Sequence, residues 1–433
     1  MSSVRSTTRL APSPYLSELG LLQTAVTVLI AAVLAAGALL ASQASSGRQE
    51  AVRQEIKRMT ATVEDVRYVY GDEAFVAFRI TVAETRADEL QRAARAAGSA
   101  GDLAKVEATV QAQAAFMFTQ AEEGTGRLAD GNRYRMPDGG FDVVRRLADV
   151  RAQNPELVGI DPDATQAAAD RRGRAARTLT ATIAVLVVAY LVVGLVGSAQ
   201  RRRSGRRLGS EADPGLIPQP WSTDSVSRRH ATTVGLLAWL LITLLSGPQV
   251  SAADEEQQGQ SLAARLPALI ATGIAASGLH QGFAIDSLRS NLTVENGTLA
   301  REFGALDVSA GLLASEKVIV TADRAAATRI QAVATRMTRL PNAGDGVDPA
   351  TRAALAATPT DWEEQVAEQN RQAERAERAG QRNDRLIVAL LLGALASSLA
   401  AIAAQPRAPA VLLYPPVALL IGGVAIALSA FVA

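Results

Sequence analysis

The chain has no cysteine and only two histidines among its 433 residues. The first absence excludes a disulfide framework, a thiolate zinc site and a thiol nucleophile. The second leaves little for imidazole chemistry: His280 has Asp286 six residues on, a pair that reads as an ordinary surface or core histidine and not as a base or ligand. Lysine is almost missing too, with only Lys57, Lys105 and Lys317 among 44 basic residues. The arginine and alanine excess reads as the codon bias of a GC-rich bacterial genome, which makes Asn291-Leu-Thr293 and Asn296-Gly-Thr298 chance matches to the glycosylation sequon. Charge of neither sign prevails. Residues 43–177 hold 20 basic and 21 acidic side chains, 251–385 hold 14 and 18, and the net charge is +1. Neither block offers the basic stripe that nucleic acid requires. No glycine-rich phosphate loop followed by lysine is present, and no Ser, His and Asp set is spaced as a triad. No catalytic, cofactor-binding or metal-ligating residue is assigned, so the chain reads as non-enzymatic, without a cofactor.

What the sequence does contain is a pattern that occurs twice: an apolar span, a block of about 135 residues, then a second apolar span. The spans run from Gly20 to Ser42, Leu179 to Ser198, Thr232 to Val250 and Leu386 to Ala404, and a fifth covers Ala410 to Ala433. Each is near the roughly 20 residues with which a helix crosses a bilayer. No Asp, Glu, Lys, Arg or His falls within these stretches, which argues against proton coupling or intramembrane proteolysis there. The expected fold is mainly α: a polytopic membrane protein with about five transmembrane helices and two helical-bundle extracytoplasmic domains. Its order is a cytoplasmic N-terminus 1–19, a first span 20–42, an outer domain 43–178, a second span 179–198, a basic connector 199–231, a third span 232–250, a second outer domain 251–385, and the spans 386–404 and 410–433.

Short arginine-rich loops stay cytoplasmic, whereas long domains cross largely regardless of charge. The connector opens with Arg201, Arg202, Arg203, Arg206 and Arg207 and closes with Arg228 and Arg229. These seven residues are the candidate membrane-surface and topology determinants, and the first five can also meet anionic head groups. The connector and N-terminus therefore lie inside and both large blocks outside, in a bacterial plasma membrane. Ala36-Gly-Ala38 gives the first span a passing likeness to a signal peptide, and Arg228 to Ala252 has the shape of an internal one. The preferred reading of the third span is a short transmembrane helix ending at Pro248. Tyr414-Pro415-Pro416 opens the alternative of a fifth span broken into half-helices.

An internal duplication is expected. Lys105-Val106 and Lys317-Val318 precede Arg127-Leu128 and Arg339-Leu340 by the same interval, followed by Asp138-Gly-Gly140 and Gly344-Asp-Gly346, then Pro155 and Pro359; Phe75 and Phe283 are a looser pair. Within the first block, Val52, Ile56, Met59, Val63, Val66 and Tyr70 step as an apolar seam on one helix face. Gly71 ends that helix, Glu73 to Ala97 and Asp102 to Glu122 are helices, Gly124 to Gly140 is a loop, and Phe141 to Asn154 is a short helix. Asp161-Pro162 starts the helix that enters the second span. In the second block Pro267, Gly273 and Gly278 predict irregularity, Glu316 to Thr321 a short strand, and Thr360 or Asp361 the cap of a polar stalk from Glu363 to Arg385.

The layout of a helical bundle between two spans is similar to the input half of bacterial chemoreceptors and sensor kinases. That resemblance is one of arrangement only and implies a ligand- or partner-sensing role. The expected function is thus a non-enzymatic integral membrane protein whose paired outer helical domains bind a ligand or protein partner, for sensing or for assembly of a membrane complex. Its partners are the lipid bilayer and another protein or further copies of itself. The alternative is a channel or transporter component that uses the fifth span.

Overall fold

The computed structural model describes residues 14–182, 185, 224–304, 310–404 and 410–432. It is 89% helical and has no strand among the described residues, only an isolated antiparallel bridge between Arg135 and Phe141. Helix α1 covers Pro14–Val66, and a wide π-helical turn, Arg67–Glu73, carries it into α2, Ala74–Ala97. After α3 (Asp102–Glu122) and α4 (Val143–Gln153), α5 spans 162–182. The second half comprises α6 (Asp224–Gly304), α7 (Ala310–Met337), α8 (Pro349–Ala356), α9 (Pro359–Ala403) and α10 (Tyr414–Val432).

Three of these helices, within Arg229–Gly304, Pro359–Ala403 and Val411–Val432, are long and apolar enough to cross a membrane. They contain the third, fourth and fifth spans read from the sequence. The first span lies inside α1. The second begins in α5, and beyond 182 only residue 185 of it is described.

Several local expectations fail for identifiable reasons. Gly71 does not end the helix; the π turn absorbs it, as wide turns within helices do. Pro248, Pro267, Gly273 and Gly278 all sit inside the single helix α6. An internal proline removes one hydrogen bond at a cost of about 3 kcal/mol, which packing on both sides of it can offset. Glu316 to Thr321 is part of α7 and not a strand. Thr358 and Asp361 form a reciprocal cap at the start of α9: Asp361 Oδ2 accepts from Thr358 N at 2.8 Å, and Thr358 Oγ1 accepts from Asp361 N at 3.4 Å. Pro415 and Pro416 occupy the first turn of α10, where proline is well tolerated, and so do not divide two half-helices.

The chain folds into two compact units, and both halves of the sequence contribute to each. One unit comprises Met1–Val52, Asp161–Ala263 and Asn370–Ala433. Its core is narrow and made of small residues. On α9, Leu386, Ala389, Gly393, Ala396, Ala400 and Ala403 are buried at alternating steps of three and four. Gly393 lets Ile242 approach, and Gly423 brings α10 onto the Ala389 carbonyl. Small residues on a seam allow such close backbone packing. Ala376 and Ala379 prolong the buried line into the charged part of α9, and Gly259 of α6 seats Ala376. Residues 370–385 therefore pack on α6 through alanines hidden among charges, instead of standing as a free polar stalk.

The other unit comprises Arg53–Ile160 and Ala264–Gln369. Helices α2 and α3 form a hairpin, closed by Gly98 at φ +61° and by Gly101, whose hydrogen takes the place of a Cβ that would lie 2.4 Å from the Ala94 carbonyl. The main core joins residues of both halves: Val66, Tyr70, Phe78, Leu128, Phe141 and Leu147 from the first, and Phe283, Ile330, Val333 and Met337 from the second. Phe283 receives Phe75 and Phe78 edge-on, at 5.6 and 6.2 Å. Parts of the two blocks read from the sequence as separate bundles thus share one core. Alanine-rich helices bury little area each, and a shared core removes more of it from water than two small ones would.

The order of elements recurs in the two halves. Each has a long first helical run, one further helix, a loop with a left-handed glycine (Gly139 at φ +93°, Gly346 at φ +77°), a short helix and a second long helix. The short helices start alike: Asp142 Oδ1 caps Arg145 N and Asp348 Oδ1 caps Thr351 N, both at 3.0 Å.

Candidate interaction surface

The positions of chemically able side chains in the second unit are set mainly by buried ion pairs. Glu73, at the end of the π turn, accepts from Arg146 Nε and Nη2 at 2.9 and 2.8 Å and from Leu128 N at 2.9 Å. The Arg146 guanidinium also lies 5.5 Å from the centre of the Tyr134 ring. Arg151 bridges Asp65 at 3.1 Å and Asp348 at 2.5 Å. Burial pushes the Asp65 carboxyl above its usual range, against the opposing pull of Arg151. Arg86 pairs with Asp323 at 3.1 Å, and Glu107 takes Arg301 at 2.7 Å. Each pair is saturated by its partners, so the set acts as a framework that clamps helices. Such groups escape notice in the sequence because an acid or arginine in a helix reads as solvent-facing.

The seam read on α1 shows the same effect. Ile56 is 48% exposed while Glu55 is fully buried, where it accepts from Arg58 at 2.8 Å and Arg265 at 2.7 Å. The buried line of α1 in this unit is Glu55, Met59, Thr62 and Val66, rotated from the apolar one.

His280 is likewise structural. Its Nε2 lies 2.8 Å from the Thr338 carbonyl, which requires the proton on Nε2, and its ring meets Tyr70 edge-on at 5.2 Å. It engages Thr338 instead of Asp286. Of the topology arginines, Arg201, Arg202, Arg203, Arg206 and Arg207 lie outside the described residues. Arg228 and Arg229 belong to α6, where Arg229 is exposed and its carbonyl accepts from Thr232 and Thr233. Among the described residues no group of three or more His, Asp or Glu side chains converges to hold a metal ion.

One surface stands apart from this framework. Along α6 from 274 to 303 an apolar line faces outward while several polar side chains turn inward beside Ala276 and Phe283. Ile274, Ile285, Leu288, Leu292, Leu299 and Phe303 are exposed, Ile285 at 66% and Phe303 at 72%, whereas Ser277, Ser287, Asn291 and Thr298 are buried. The buried polar groups find little across the interface. Ser287 and Thr298 donate to their own helix, to the Ala284 and Val294 carbonyls at 2.8 and 2.9 Å, and the Ser277 hydroxyl and Asn291 Oδ1 have no partner. His280 and Phe283 fix which face turns inward, and the apolar line follows on the other side. Gly278 and Gly282 lie on the same outward face, with no atom within 4 Å of where a Cβ would stand. Between 274 and 303 the exposed charges are Arg289 and Glu295, while Asp286, Arg301 and Glu302 are half-buried.

A second apolar line lies on α3, where Leu103, Val106, Val110, Phe116 and Met117 are exposed. The ion pair Glu107–Arg301 ties that helix to α6, with Val106 and Val110 flanking Glu107 and Leu299 and Phe303 flanking Arg301. Leaving such side chains half in water forgoes roughly 1 kcal/mol each, and contiguous apolar patches of this kind mark interaction sites. The spacing 285, 288, 292, 299, 303, beside the polar positions 287, 291 and 298, is the trace of this face in the sequence. Comparison with protein-family models, with curated proteins and with solved structures gives no match.

Proposed function

We propose that the chain is an integral membrane protein that docks a helix of another protein on the outward face of α6, for sensing or for assembly of a membrane complex. The exposed apolar line between 274 and 303 carries this reading. The occupant is an apolar, nearly uncharged helical face: Gly278 and Gly282 admit a helix backbone closely, in the manner of small residues four apart, and the leucines beyond them form the bed. The arginine-flanked connector supports a cytoplasmic position for residues 199–231 and an extracytoplasmic one for the docking unit. The recurring order of elements supports an origin by duplication.

The test is Leu288→Asp combined with Leu292→Asp in the full chain, extracted in mild detergent. The native complex dissociates while the melting temperature of the isolated chain holds, because neither side chain is in the core. A complex that survives both substitutions refutes the reading.

A further inference from the structure

In the unit formed by 1–52, 161–263 and 370–433, α6, α9 and α10 enclose a cleft of about 540 Å³. Arg375, Arg378, Arg382 and Arg385 of α9 line it, with Glu255 of α6 and Ala430 of α10. The arginines are spaced by three, four and three residues, so they stand on one face of the helix.

Their pairing is weak. Arg378 reaches Glu374 of its own helix and Arg382 reaches Glu255, each only at 3.9 Å. Arg375 makes no ion pair among the described residues. Arg385 donates to the Ser429 carbonyl at 2.8 Å and so holds the end of α10 at the cleft. Two other arginines of this unit are held more closely: Arg48 by Asp170 at 3.2 Å and Asp254 at 2.7 Å, and Arg177 by Asp254 at 3.0 Å. Four arginines line the cleft and two carboxylates, Glu255 in its lining and Glu374 beside it, reach them only at 3.9 Å, which leaves an excess of positive charge where the apolar stretch of α9 begins, at Leu386.

We propose that this cleft binds a phosphate group, whether on an anionic lipid head group or free in solution. Guanidinium forks match phosphate oxygens in pairs, and the arginines stand at the head of the apolar stretch of α9, at the level where a lipid head group meets its chains. Arg375, Arg378 and Arg382 are the binding residues, and Arg385 positions α10.

Full-length protein in detergent is titrated with short-chain phosphatidylglycerol, short-chain phosphatidylcholine and inorganic phosphate. Phosphatidylglycerol binding is expected to weaken at least about tenfold in the Arg375→Gln, Arg378→Gln, Arg382→Gln triple variant, since each charge contributes near an anionic surface, with the helical circular dichroism unchanged. Glu255→Gln tightens binding in an otherwise intact protein. Preference for phosphatidylglycerol over phosphatidylcholine assigns the lipid; variant-sensitive binding of inorganic phosphate without that preference assigns a soluble anion. Binding of any probe that is equal in wild type and both variants, or binding of none, overturns the proposal.

Discussion

Arg48 donates from Nη2 to Asp254 Oδ1 at 2.7 Å, joining side chains 206 residues apart, one from each half of the chain. Arg48 is 2% exposed and Asp254 6%. With Asp170 and Arg177 they gather α1, α5 and α6 just outside the apolar spans. Removing one member of such a group strands a buried charge, at a cost of about 3–5 kcal/mol. Arg48→Met is expected to lower the melting temperature markedly, and Asp254→Leu added to it to recover much of the loss. A double-mutant cycle measured by thermal unfolding checks this, and additive losses would refute it.

Gly173 belongs to the same arrangement. A Cβ there would lie 2.5 Å from Asp254 Oδ1 and 2.9 Å from Arg48 Nη2. Gly173→Ala is therefore expected to cost roughly the 1–3 kcal/mol of an overpacked site, despite the better helix propensity of alanine. Thermal unfolding decides the sign.

The pH response of the second unit centres on His280. Burial lowers its pKa below the ordinary 6.5 and outweighs the hydrogen bond to the Thr338 carbonyl. Between that lowered value and 6.5 the unfolded chain binds more protons than the folded one, so stability rises with pH across the window and is lost as pH falls through it. His280→Gln is expected to flatten this slope. Melting temperatures of both proteins, recorded from neutral pH down through the window, test it; parallel slopes would show that His280 is not responsible.

Gly278 and Gly282 face open space, so their predicted behaviour is opposite to that of Gly173. Gly278→Ala and Gly282→Ala leave the isolated chain as stable or more stable, by up to about 1 kcal/mol for the gain in helix propensity. Gly282→Leu, which fills the approach to the face, is expected to raise the dissociation constant of the native complex at least about tenfold, or 1.4 kcal/mol. Co-purification under increasing dilution measures it.

Much of the helical frame is legible in the sequence. Asp102–Glu122 appears with the bounds expected of it, the glycine-rich loop before Phe141 is in place, and Asp161 caps the helix after it by accepting from Ala164 N at 2.8 Å. Spacing and capping chemistry act locally, so they can be read locally. What could not be read depends on contacts distant in sequence. Glu55 and Asp65 are inside because Arg265 and Arg151 reach them. Pro248 and Pro267 sit within α6 because tertiary packing overrides a single lost bond. The apolar line of α6 was hidden because periodicity alone does not say which face of a helix turns inward; His280 and Phe283 decide that, through Thr338 and the aromatic cluster.

The outward face of α6 is proposed to be covered by a helix of another protein. The absence of cysteine makes any introduced thiol unique. Ile285→Cys and Leu292→Cys, each carrying a thiol-linked photocrosslinker, are expected to trap one protein of defined mass in native membranes, with no adduct once Leu288→Asp is added. Arg92→Cys on α2, where the arginine side chain is 60% exposed, is expected to trap none. No adduct at 285 or 292, or the same adduct from 92, would contradict the account.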